Sequence, residues 1–189
     1  MKTTFRFIPG TLLTLVVAIG VDARAQEAAK PTAQHEKMAK EVGTWDAEVK
    51  VWMQGPDAPP DISKGVEEIT LMPGGLWLTS KFDGRMAGTP FTGRGISGYD
   101  PAKKKFVDVW VDSTDPHMMI LEGDYDEASK TLTSLGKSTD PRTGKPYDVK
   151  TVTVLKSDDV REFTFYLKSD DTGNDYLKIL QMTYQRRSK

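Results

Sequence analysis

From Trp45 onward, hydrophobic and polar residues alternate. Trp45, Ala47, Val49, Val51 and Met53 are interleaved with Asp46, Glu48, Lys50, Trp52 and Gln54. A period of two is the pattern of a strand with one buried face. Further strands are predicted over residues 66–72, 76–82, 91–99, 106–112, 118–125, 132–135, 149–155, 160–167 and 176–184. Short turns rich in Asp, Pro and Gly separate them, among them Pro73-Gly74-Gly75, Asp100-Pro101 and Asp115-Pro116. No strand is followed by a helical pattern, which excludes parallel βαβ units. Even spacing of about ten strands predicts an all-β antiparallel meander. Closing that meander into an up-and-down β-barrel removes both sheet edges.

Ahead of the first strand the period is 3.6. His35, Met38, Ala39 and Val42 fall on one face of a short helix that Thr32 caps and Gly43 ends. Such an N-terminal helix is placed to cap one end of the barrel.

The first 25 residues read differently. Lys2 and Arg6 precede an apolar stretch over 8–21, and Ala23-Arg24-Ala25 follows. This is the layout of a secretory signal peptide. About 14 apolar residues are too few for a spanning helix, which needs roughly 20. The expectation is an exported protein, periplasmic or extracellular, whose single barrel domain covers residues 26–189. Losing Lys2, Arg6, Asp22 and Arg24 would take the formal net charge from −1 to −3.

Charge and composition then remove several function classes. The chain has 26 Lys+Arg against 27 Asp+Glu, 38% hydrophobic residues and no cysteine. A strongly basic nucleic-acid binder, a disulfide scaffold and a polytopic membrane protein are excluded. With two histidines, His35 and His117, and no thiol, His-rich zinc sites and cysteine nucleophiles are excluded too. No metal or cofactor is called for, and oligomeric state is open.

Gly43-Thr44-Trp45 opens the first strand and Arg186 and Arg187 close the last. This pairing resembles the calycins, the superfamily of lipocalin-like barrels. In those barrels an Arg stacks on the Trp and ties the first strand to the last, an interaction worth roughly 0.5–2 kcal/mol. A wider set of motifs resembles the bacterial family catalogued as domain of unknown function 1579. Those motifs are His35, Gly43-Thr44-Trp45, Gly74-Gly75-Leu76-Trp77, Gly98-Tyr99-Asp100, Asp112-Ser113, Gly123-Asp124-Tyr125-Asp126 and Tyr184-Gln185-Arg186. The resemblance implies the barrel and carries no assigned chemistry.

Candidate site residues come from strand faces. Asp108, Trp110 and Asp112 share one face of the fifth strand and Val107, Val109 and Val111 the other. With the Asp108 face inside, the barrel would hold carboxylates, an indole and an Arg. With the valines inside it would be a dry core. Gly93 and Gly95 share a face with Phe91, Ser97 and Tyr99, so something comes close to the fourth strand there. Asp112 to His117 reads as an Asp- and Pro-rich turn rather than a triad, whose groups must converge from rigid supports.

The leading reading is a non-catalytic barrel that binds a small, partly apolar ligand inside. Its expected lining is His35, Trp45, Trp77, Tyr99, Asp108, Trp110 and Arg186, with Trp45 and Arg186 also closing the seam. One rival is a hydrolase or isomerase using Asp108, Asp112 or His117 as acid or base. Another is a filled barrel acting as a protein-interaction module.

Overall fold

Helix α1 (Ala33–Ala39) leads into ten strands: β1 (Gly43–Val51), β2 (Asp61–Leu71), β3 (Trp77–Met86), β4 (Thr89–Asp100), β5 (Lys105–Asp112), β6 (Met119–Asp126), β7 (Thr131–Thr139), β8 (Pro146–Leu155), β9 (Val160–Lys168) and β10 (Leu177–Arg186). The structure is a computed structural model that describes residues 29–188, Pro56 and Asn174 excepted. The predicted signal peptide, residues 1–25, lies outside the described residues.

Each strand pairs antiparallel with its chain neighbours, and β1 pairs with β10, so the sheet closes on itself. This is the predicted up-and-down barrel. Trp45 faces Arg186 across the β1–β10 seam and Glu67 across the β1–β2 pair. The alternation in β1 sends Trp45, Ala47, Val49 and Val51 inward, where all four are buried with Phe82, Phe91 and Met182.

Helix α1 lies at the end of the barrel where β1 starts and β10 finishes. Its start is built as expected: the Thr32 N–H donates to His35 Nδ1 at 3.0 Å. That leaves Nδ1 as an acceptor and puts the ring proton of a neutral imidazole on Nε2. Its end differs from the prediction. The helix stops at Ala39, with Lys40 as its cap, and Gly43 already belongs to β1. Val42, expected on the buried helix face, is exposed. The chain must turn here to enter β1, and Arg186 holds the turn by donating to Lys40 O and Val42 O at 2.7 Å each.

Several strands extend beyond their predicted ends. β2 begins at Asp61 and β7 runs to Thr139. Their added inward positions are Ser63, Gly65, Gly136 and Ser138, small or polar residues that carry no hydrophobic alternation. At Gly65 the reason is visible. A Cβ there would lie 2.2 Å from the Phe82 ring, which occupies that space.

Candidate functional site

On β5 the inward face is the one carrying Phe106, Asp108 and Trp110, while Val111 is exposed on the outer wall. A cavity of about 170 Å³ runs inward from beside α1. Lys37, Met38 and Glu41 border it at the helix, and Asp108 with Ser80 and Ser97 lines it deeper in the barrel. Its walls are apolar, formed by residues such as Ile69, Leu78, Phe106 and Leu155.

Asp108 keeps some accessible surface because it borders the cavity, yet protein surrounds it on its other sides. Burial holds its carboxyl above the ordinary carboxylate range, and the Ser97 and Ser134 hydroxyls oppose that shift by donating to the charged form. Ser97 is its direct partner across the β4–β5 pair. Ser134 comes from β7 and leans over Gly123 of β6, where a Cβ would lie 2.2 Å from its Oγ. A glycine on the intervening strand is what lets the two side chains meet.

The helix side of the cavity holds an ion cluster absent from the sequence-based list. Arg161 pairs with Glu41 at 3.1 Å and Glu67 at 2.5 Å, and its guanidinium stacks on the Trp45 and Tyr184 rings. Burial raises the Glu41 carboxyl, Arg161 and Arg186 oppose the rise, and Glu67 adds to it. Tyr184 is held well above its ordinary range, by burial first and then by Glu67, so it stays a phenol and donates to Met182 Sδ at 2.9 Å. Sequence carried a signal for Arg161: it shares strand parity with Phe163, Phe165 and Leu167 on β9, an inward charge on an otherwise apolar face.

Of the seven expected lining residues, Asp108 alone borders the cavity. The other six lie outside its lining, each with packing partners of its own. Trp77 lies on the outer wall, 40% exposed, and covers Gly98 of β4. Trp110 fills the barrel on the side away from α1, its indole against Gly93 and Gly95 and its Nε1–H donating to Asp112 at 3.2 Å. His35 and Tyr99 meet edge to face at 5.8 Å and bind α1 to the barrel end. Trp45 is 1% exposed and donates through Nε1 to Glu41 O at 3.0 Å. Arg186 stacks on it at 4.0 Å, the seam that the calycin resemblance implied.

Asp112 and His117 sit at the end of the barrel opposite α1. Asp112 Oδ1 accepts from the Thr114 and Asp115 N–H groups, and His117 Nδ1 lies 2.9 Å from Asp115 Oδ1. They form a local turn, apart from Asp108. Among the described residues no three His, Asp or Glu side chains gather closely enough to hold a metal ion.

Several solved structures match the chain, among them two with TM-scores above 0.5. Rv2717c from M. tuberculosis superposes with a TM-score of 0.59 at 13% identity, over 83% of this chain and 99% of that one. The S-type phycobiliprotein lyase CPES from Guillardia theta gives 0.54 at 12% identity, over 84% of this chain and 94% of that one. At such identities the likeness is one of fold. No curated protein matches the chain. The model of the protein family of unknown function DUF1579 matches residues 30–186, and the chain belongs to that family.

Proposed function

We propose that the protein binds a small, partly apolar molecule inside its barrel, entering beside α1. The observation that carries this reading is the cavity itself: largely apolar walls, an Arg161–Glu41–Glu67 cluster on the helix side, and Asp108 with two serine hydroxyls at the inner end. That is the composition of a binding pocket, in which a few polar groups orient an otherwise apolar contact. The volume sets the size. A cavity of roughly 150 Å³ takes benzene, so about 170 Å³ suits a single ring with a short arm. The solved barrels of this shape include one named as a phycobiliprotein lyase. The leader-like residues 1–25 support placing this activity outside the cytoplasm.

An acid–base enzyme using Asp112 or His117 in this cavity is disfavoured, because both lie at the other end of the barrel. A partner-binding outer wall has one observation in its favour. Ile96, Val109 and Ile120 form a cross-strand row on β4, β5 and β6, with Ile96 and Ile120 exposed. Native and denaturing mass spectrometry on protein purified from its own host separates the two. An added small-molecule mass that disappears on denaturation is expected. A bare chain natively associated with another protein, and carrying no such mass, would overturn the carrier reading.

A further inference from the structure

Three carboxylates border the cavity, and they are treated unequally. Arg161 holds Glu41 and Glu67. Asp108 has the Ser97 and Ser134 hydroxyls and, among the described residues, no cationic side chain perturbing it. The Ser97 and Ser134 hydroxyls reach that one carboxyl, and Ser80 borders the same cavity. Ser134 crosses Gly123, and Ser80 leans over Gly95, where a Cβ would lie 2.5 Å from its Oγ. Ser80 and Ser97 both face the cavity beside Asp108.

We propose that this inner end receives the ammonium group of a small primary amine, whose apolar body fills the rest of the cavity. This rests on the cavity being a ligand site. An ammonium group carries three N–H donors and no acceptor. It needs a negative charge with further oxygens around it, and the carboxylate with two cavity-facing hydroxyls supplies both. A carboxylate ligand would meet the charge of Asp108. A neutral alcohol would make hydrogen bonds and leave the buried charge uncompensated, the costly arrangement in a low-dielectric interior. Burial already lifts the Asp108 carboxyl, and a cation delivered beside it favours the charged form again. The apolar body has matching surroundings in Ile69, Leu78, Phe106, Leu132 and Leu155.

Calorimetric titration of the full chain with benzylamine, benzyl alcohol and benzoate at neutral pH tests this. Benzylamine is expected to bind at least about tenfold more tightly than the other two, the scale of one charge-assisted contact. In Asp108→Asn that preference should vanish while benzyl alcohol still binds. Equal or tighter binding of benzyl alcohol by the parent overturns the amine assignment and leaves the cavity reading intact. If none of the three binds, both readings fall. Should Asp108→Asn not fold, Ser97→Ala takes its place. A larger loss for benzylamine than for benzyl alcohol is then expected, and an unchanged benzylamine affinity would count against the inference.

Discussion

A carboxyl held inside a barrel with no cation perturbing it among the described residues weakens the fold, and Asp108 does so in a pH-dependent way. Its folded-state affinity for a proton exceeds that of the unfolded chain. Between the ordinary carboxylate range and the raised one, the folded state therefore binds more protons, and stability falls as pH rises. The stabilising contribution is complete in acid and lost as pH passes the raised folded value. Surface acids push the other way: ion pairs with Arg187, Lys81 and Lys137 hold Asp46, Asp83 and Asp148 low. Comparing parent and variant at each pH removes their contribution. Asp108→Asn is expected to be more stable than the parent at pH 7 by roughly 0.5–2 kcal/mol, with the gain shrinking as pH falls toward 4. Chemical denaturation across that range checks it, and a variant less stable at pH 7 would refute the burial account.

Between neighbouring strands, the missing side chains matter as much as those present. Gly93 lies inward on β4, and a Cβ there would lie 2.0 Å from Trp110 Cζ2. Backbone and indole cannot both stay in place. Gly93→Ala should cost about 1–3 kcal/mol, the usual penalty for overfilling a packed core. A thermal midpoint equal to the parent's would mean that Trp110 moves freely, and that β4 is glycine-rich for another reason. The same positions explain what the sequence could show. Where inward residues are large and apolar, as in β1, alternation marks the strand and its face. Where they are Gly or Ser, as at Gly65, Ser134, Gly136 and Ser138, the alternation fades and the strands are read too short. At the cavity's inner end Ser80 and Ser97 likewise carry no hydrophobic signal, so Asp108 is the residue that stands out there. The tryptophans are easy to single out, but Trp77 and Trp110 do not line this cavity. Trp77 and Trp110 carry apolar bulk to cover glycines on opposite faces of the wall, and a period of two cannot tell which face is inside. Arg161 was legible as a charge in register with Phe163 and Phe165, but only once β9 is assigned an inner face.

At the scale of the whole barrel, closure and access meet at one residue. Arg186 ends β10, stacks on Trp45 of β1, donates to Lys40 O and Val42 O behind α1, and reaches Asp158 O in the β8–β9 turn at 3.1 Å. It thus ties the seam, the helix and a neighbouring turn together. Four donor contacts leave with the side chain in Arg186→Ala. The orphaned carbonyls lie near the surface, where water can replace part of what is lost. The expected cost is therefore modest, about 1–2 kcal/mol. A larger effect should appear in local opening. The Trp45 indole N–H is bonded to Glu41 O at 3.0 Å, in the segment that Arg186 fastens. Freed of that anchor, α1 should swing from the barrel end more often and expose both this proton and the cavity mouth at Glu41. Hydrogen exchange of the Trp45 indole followed by NMR is expected to accelerate by more than the loss in global stability predicts. Exchange that speeds up only in step with global unfolding would show that the helix leaves its place only when the whole barrel opens. Ligand entry beside α1 would then need a different route.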